Sequence, residues 1–550
     1  MNLFFEKIIS NLNRPKNWLL LANVVLVFVL IICNNLGIIP LRTGDFIFFA
    51  ILTLFLALYR PGWAFLFFIG TIALENINLA PAELGIAIRP YQFIGALTIT
   101  AIIIRLFSGK LNFKLVKPKW QDWLVIIVGI SSFLSIANAE NKIISLKLSI
   151  ILATFVALYF LVRNYIQNLE DLKKIIPFFL SSSLVVVLYG IWQNVWFLRG
   201  LNGFEAMPGR PNATFSEADW LGMFLVLVMS VVYILIYNSV IARESRDDRG
   251  NLEFNKSVLD IKGLLLRQLA DRNDIGLVIF LILSYIVLIL TVSRSAWLGA
   301  FAVTFIFLFT IFTNLKLSYK GWEWKKTIQI KLVIISALAI AIGAVYIFHL
   351  TDFQLGNRVQ STGSGIQKIT VSCNVGNENF RSLPEEIENI SELEKYNCRH
   401  INLEEINSEK SKGSYVTEIY RKDPNVSIRA EIYQKSWKEI KNHWILGIGW
   451  GNISKILGTD ESGTPLNSSN IFLEIWLGSG ILGFASFVIV VSYILVGAIK
   501  NYYFAKNLEG RVFALFVIIS WTGIMIANFF NAGIFLGFLW LWLGMTQIKR

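Results

Sequence analysis

Apolar runs close to twenty residues long recur along most of this chain, and no other feature limits its fold so strongly. About 20 such residues, wound as a helix, cross the ~30 Å of hydrocarbon in a bilayer. The runs lie at 18–39, 44–59, 62–78, 90–107, 122–138, 142–164, 174–197, 217–240, 275–292, 295–314, 328–350, 479–499, 511–530 and 532–547. They predict an all-α polytopic transmembrane bundle of about 14 spans, the second and third short enough to be partly re-entrant. One large loop, bearing an amphipathic helix, interrupts the series. Of 550 residues 55% are hydrophobic and 16% charged, whereas an ordinary soluble domain carries roughly 25% charged residues. A soluble globule is excluded. The first run, Trp18 to Ile39, is long enough to span and lacks a small-residue cleavage site, so it reads as a first transmembrane helix and not as a signal peptide.

The formal net charge of +13 would suit a nucleic-acid partner, but its distribution points to membrane topology. With the N-terminus in the cytoplasm and the sides alternating, 29 Lys and Arg face inward and only 7 fall in short outer loops. The other 14 lie in the long loop from Thr351 to Ser469. Short loops are the ones that obey the positive-inside rule. The expectation is that the N-terminus, Arg249 and Arg550 are cytoplasmic, while Asn389 and the long loop are outside. Three regions follow: an N-terminal bundle over 1–350, the loop over 351–469, and C-terminal helices over 470–550. The charged segment Arg243 to Arg272 reads as a solvated cytoplasmic linker. No basic, aromatic-interleaved patch points to nucleic acid.

The long loop divides in two. Its first half, about 354–423, is polar with weak periodicity and reads as an insertion. Cys373 and Cys398 share it, and two of only three cysteines on an extracytoplasmic side suggest a disulfide; the alternative is two unpaired thiols. Cys33, in the first run, reads as an apolar packing residue. In the second half Ile428, Ile432, Ile440 and Trp444 recur at helical spacing. A turn punctuated by Gly447, Gly449 and Gly451 follows, then a polar loop, then Asn470 at the head of an apolar run. Two arginines stand out beside this segment. Arg294 sits in a short connection, Thr291 to Leu298, between two strongly apolar runs. A cation retained there pairs with something or faces a cavity, unless it is a snorkelling anchor. Arg210 sits between Pro208 and Pro211, which stiffen its loop.

These segments resemble the O-antigen ligase and polymerase family. The matching motifs are Arg429 to Trp437, Leu446 to Gly451, Ser469-Asn470, Leu473-Glu474 and Gly480 to Gly483, with Arg210-x-x-x-Thr-Phe and Ser-Arg294-x-x-Trp-Leu before them. The resemblance covers roughly Arg210 to Gly483. It implies transfer of a glycan from an undecaprenyl-diphosphate carrier to a saccharide or lipid acceptor, in cell-envelope polysaccharide biosynthesis at the outer face of a bacterial plasma membrane. It also implies that Arg210 and Arg294 hold the diphosphate, a role suited to the planar guanidinium fork. Ser469 stands where the family usually has histidine, and a serine takes no proton near neutral pH. With Asn470 it completes the expected catalytic set of Arg210, Arg294, Ser469 and Asn470. Arg89, Arg429, Tyr433, Glu474 and Glu217 are expected to contact substrate. His443, His400, Asp219, Glu217 and Glu474 are the other groups able to accept a proton. There is no zinc-spaced Cys/His cluster, P-loop or nucleophile elbow, and no tight outer carboxylate cluster. Metal-independent chemistry without a cofactor is therefore expected. Two rivals stand beside it: a secondary transporter of a small anion, and a family member made inactive by loss of its histidine.

Overall fold

The computed structural model describes residues 15–111, 113–207, 209–247, 273–313, 324–351, 366–374, 382–388, 390–401, 406–422, 424–459, 465–505 and 507–548. The N-terminus, Pro208, Arg249, Asn389 and Arg550, named above, lie outside the described residues.

Helices α1 (Pro15–Asn35), α2 (Thr43–Tyr59) and α3 (Pro61–Gly70) come first. They are followed by α4 (Pro90–Phe107), α5 (Trp120–Leu134), α6 (Lys142–Tyr165) and α7 (Leu169–Leu198). Next come α8 (Ala218–Asp247), α9 (Asn273–Leu290), α10 (Arg294–Thr313) and α11 (Trp324–Ile347). The large loop holds β1 (Ile366–Cys373), β2 (Glu386–Ile387), β3 (Cys398–Ile401), α12 (Ile406–Ser411) and β4 (Tyr415–Lys422). Beyond it lie α13 (Pro424–Asn442), α14 (Ile453–Leu457), α15 (Ile471–Phe504), α16 (Leu508–Asn528) and α17 (Gly537–Met545). Among the described residues ten helices are long and apolar enough to cross a membrane, which makes this a polytopic helical membrane protein.

Ten of the fourteen expected runs are found as helices of membrane length among the described residues, and the other four form shorter helices. Helices α2, α3 and α9 are apolar but short. The run at 62–78 stops being helical at Gly70, and an irregular segment continues to Arg89, largely buried as far as Pro81 and more exposed beyond it. Buried irregular backbone needs partners, and the side chain of Asn78 supplies two by accepting from Ala80 N at 3.0 Å and Ile88 N at 2.9 Å. The last run yields only the nine-residue α17, every residue of which is buried. A helix apolar all round and covered on all sides belongs to the protein interior.

An all-α chain is also corrected. The loop segment read as a loose insertion carries a four-stranded sheet in the order β2-β4-β1-β3. β1 alternates Ile369, Val371 and Cys373 into a small core of its own with Ile387, Leu393, Cys398 and Ile419, which is the period-2 pattern of a half-buried strand. Cys373 and Cys398 face each other across β1 and β3 and are disulfide-bonded. The bridge closes a loop with a sequence separation of 25 residues, a constraint worth about 3–4 kcal/mol in the chain-entropy account. Hydrogen bonds from Lys412 and Ser372, with Arg399 beside them, hold the Glu409 carboxyl down to about 2 and pin α12 to this sheet.

Small residues bring α8, α10 and α16 into close contact, as is usual where lipid offers no hydrophobic drive between helices. Gly222 on α8 faces Ala296, Ser293 and Thr291, and Gly299 on α10 leaves room only for the Gly523 carbonyl of α16. The N-terminal ends of α8 and α10 and the C-terminal end of α16 are thereby gathered at one end of the bundle.

Helix α15 is broken. Gly480 adopts φ 67°, ψ −169° inside it, which separates the Leu477 carbonyl from its normal helical donor, Ile481 N–H. Both orphaned groups are satisfied by the glycine turn of the preceding loop. Ile448 N donates to Leu477 O at 2.8 Å, and Ile481 N donates to Trp444 O at 3.0 Å. The turn fits because Gly447 and Gly480 lack side chains: a Cβ on Gly447 would collide with the Leu477 carbonyl, and one on Gly480 with that of Ile445. Trp450 is buried against Gly478 and packs edge-on to Phe535 at 5.0 Å. The spacing Gly447-x-Gly449-x-Gly451 and the later Gly480 are two halves of one joint.

Candidate functional site

The loop that carries Arg210 is held by side chains from below it. Gln193 of α7 accepts from Ala213 N at 2.6 Å, Asn212 accepts from Ala206 N at 3.1 Å, and Thr214 donates to Ala73 O at 2.6 Å. From this frame Arg210 Nε donates to Thr291 O at 3.0 Å, and its Nη2 meets Asp219 Oδ1 at 3.3 Å. Thr291 opens the tight turn between α9 and α10, and Arg294, partly buried, follows three residues later. The Arg210 loop and the Arg294 turn are therefore joined directly.

A second connection runs from that turn to the other motif residues, through the end of the apolar run 511–530 and Asn531 just after it. Asn531 Nδ2 donates to Ser295 Oγ at 2.7 Å. Phe529 O accepts from Asn470 Nδ2 at 3.1 Å, and the Arg429 guanidinium lies over the Phe530 ring at 5.8 Å. The turn Phe529–Asn531 thus touches segments bearing Arg294, Asn470 and Arg429. Only the clustering of Asn528 and Asn531 after a long apolar run hinted at it.

Asn470 also caps α15, its Oδ1 accepting from Phe472 N at 2.9 Å and Leu473 N at 3.2 Å. Tyr433 lies one turn after Arg429 on α13, and its hydroxyl approaches Ser469 O at 3.5 Å. Burial pushes that hydroxyl above its ordinary pKa while Arg429 opposes the shift, so it remains a neutral donor at pH 7. Glu474 is buried, and its Oε2 accepts from Ser468 N at 2.8 Å. It braces the turn that presents Ser469. Arg89 is committed elsewhere, 2.8 Å from buried Glu75, which also takes Gly537 N at 2.6 Å. The Gly537 bond to Glu75 ties the irregular 71–89 segment to the stretch after the Phe529–Asn531 turn. Glu217 is partly exposed, next to α8. His443 pairs loosely with Glu439 at 3.9 Å near the end of α13, and His400 lies on β3 opposite Val371.

Three of the six non-glycine residues with positive φ among the described residues fall in these segments; Phe204, His349 and Asn397 lie elsewhere. Ala213, Val292 and Ser469 are non-glycine residues with φ of 47°, 52° and 48°. For a β-branched residue such as Val292 this is a genuine outlier. Each lies within three residues of Arg210, Arg294 or Asn470. Strained residues of this kind gather at functional sites, where the surrounding structure over-determines them.

Membrane-length helices, with cationic and strained loop segments meeting at the ends of several of them, define an integral membrane protein. Residues 278–488 match the family model described as O-antigen ligase, the family that the motifs of this stretch resemble. The match includes Arg294, Arg429, Tyr433, Ser469, Asn470, Glu474 and the glycine joint, while Arg89, Arg210 and Glu217 precede it. No curated protein matches the chain.

Proposed function

We propose that this protein transfers a glycan from an undecaprenyl-diphosphate carrier to a saccharide or lipid acceptor, at the outer face of a bacterial plasma membrane. The bond from Arg210 Nε to Thr291 O carries the reading, because it joins the two arginine-bearing segments that would grip one diphosphate. In this reading Arg210 and Arg294 neutralise the charge that develops on the leaving diphosphate, the main electrostatic task of such a transfer. Guanidinium forks match phosphate oxygens bidentately. Arg429 and Tyr433 line the approach from α13, and Asn470 fixes the start of α15. Ser469 contributes position and not basicity. The chemistry proceeds without a metal or cofactor. Residues 1–350 form the bundle bearing the diphosphate grip, 351–469 the extracytoplasmic loop, and 470–550 the closing helices.

The direct test supplies purified protein with an undecaprenyl-diphosphate-linked oligosaccharide and a saccharide or lipid acceptor. Acceptor-dependent release of undecaprenyl diphosphate is expected. Absence of release, together with uptake of a labelled small anion into proteoliposomes, would favour the transporter class instead. Orientation has its own check. In intact cells an impermeant thiol reagent should label Tyr415→Cys but reach Lys110→Cys only after permeabilisation. The reverse pattern would put the arginine segments on the wrong side of the membrane for this donor.

A further inference from the structure

Transfer to a hydroxyl also requires something to take the hydroxyl's proton, and the groups around the arginines differ sharply in their freedom to do so. Glu474 is buried and occupied by Ser468 N–H. The Tyr433 hydroxyl is shifted away from ionising. His443 lies beside Glu439 near the end of α13, and Ser469 is no base. Asp219 is different. It lies in the first turn of α8 with its side chain 32% exposed, and Arg210 Nη2 meets it at 3.3 Å, a long bond. Gly222, one turn further along the same helix, faces Ser293 and Ala296 on the turn that carries Arg294. Residues three apart share a helix face, so Asp219 is directed toward the same region. Arg210 is the charged group that meets it, with Glu217 two residues before it in the chain; Glu205, the other carboxylate of the Arg210 loop, accepts from Gly209 N at 3.3 Å.

Resting on the proposed function, the geometry points to Asp219 as the catalytic base, held on Arg210 until the donor's diphosphate takes its place. A diphosphate carries more charge and more acceptor oxygens than one carboxylate, so it wins the guanidinium's outward-facing nitrogens. Arg210 Nε meanwhile keeps its bond to Thr291 O, and the arginine does not swing away. The released carboxylate then faces the acceptor. The acceptor oxygen bonds to the glycan's anomeric carbon as its proton passes to the Asp219 carboxylate. The bond from that carbon to the diphosphate oxygen breaks, and its electron pair leaves with undecaprenyl diphosphate. Asp219 returns the proton to solvent and pairs with Arg210 again.

The pairing makes two measurements move in opposite senses. In Asp219→Asn, turnover should fall about 100-fold or more, the usual contribution of a general base. Binding of undecaprenyl diphosphate alone should hold steady or tighten, because Arg210 no longer has a competing anion. Asp219→Glu, which keeps a carboxylate, should recover some of the turnover. Weaker undecaprenyl diphosphate binding in Asp219→Asn, in step with the lost turnover, would reduce Asp219 to a support for Arg210 and overturn the assignment. So would an Asp219→Asn protein within threefold of wild type. Wild-type protein that neither turns over nor binds undecaprenyl diphosphate would instead remove the proposed function, and the base with it.

Discussion

Arg210→Ala and Arg294→Ala should each lower glycan transfer by about 100-fold or more, with folded protein still recovered. The size follows from removing two charge-assisted hydrogen bonds to a diphosphate, each worth roughly 1.5–3 kcal/mol, where every ~1.4 kcal/mol is a factor of ten in rate. Lysine should rescue little at position 210. There the guanidinium uses Nε to hold Thr291 O and presents its other nitrogens outward, and a single ammonium cannot do both. Ser469→Ala should cost only a few-fold by comparison, since serine offers no proton acceptor near neutral pH. Ser469→His should fold normally, because position 469 already holds a left-handed backbone, φ 48°, which histidine enters more readily than most residues. Acceptor-dependent release of undecaprenyl diphosphate measures every one of these variants. Near-normal turnover in Arg210→Lys and Arg294→Lys would remove the bidentate grip from the mechanism.

The elements of this structure that were legible in the sequence are those whose physics is local. A run such as 90–107 satisfies its own backbone in lipid, and it is found as a helix over Pro90–Phe107. The glycine turn at 447–451 was visible as a turn. Its partner was not, because that partner is a break in a helix thirty residues later. In the sequence Gly480 looks like a residue near the start of a span, whereas α15 begins at Ile471 and runs through it. The sheet at 366–422 was missed because its polar edge residues masked the alternation of Ile369, Val371 and Cys373. The same holds at the site. Arg210, Arg294, Asn470 and Arg429 were named from type and motif, but no local rule brings them together. Phe529, Phe530 and Asn531 touch Asn470, Arg429 and Ser295 beside Arg294, and Arg210 is linked to the same turn through Thr291 O, contacts that no local rule announces. Glu75 was hidden as one carboxylate inside an apolar run. Its bonds to Arg89 and Gly537 explain why it is there.

The glycine joint sets up the other large effect, this time on folding. In Gly480→Ala the new methyl meets the Ile445 carbonyl, and the backbone stays in the left-handed region, φ 67°. With ψ −169° this is a region essentially reserved to glycine, and holding a residue with a Cβ there costs about 1–3 kcal/mol. Displacing the 444–448 turn leaves Leu477 O and Ile481 N–H buried without partners, at roughly 1–3 kcal/mol each. Together these approach the ~5–15 kcal/mol by which a folded protein is usually stable. Gly480→Ala and Gly447→Ala should therefore yield little folded protein, and what survives should melt far below wild type in the same detergent. Gly343→Ala is the matched control, since that helical glycine has open space around its Cβ position and an ordinary φ. It should melt at or slightly above the wild-type temperature, because alanine is the better helix former by about 1 kcal/mol. Equal melting temperatures for Gly480→Ala and Gly343→Ala would mean that the turn does not supply the missing bonds of α15. The presentation of Asn470 and Ser469 would then have to rest on the first half of that helix alone.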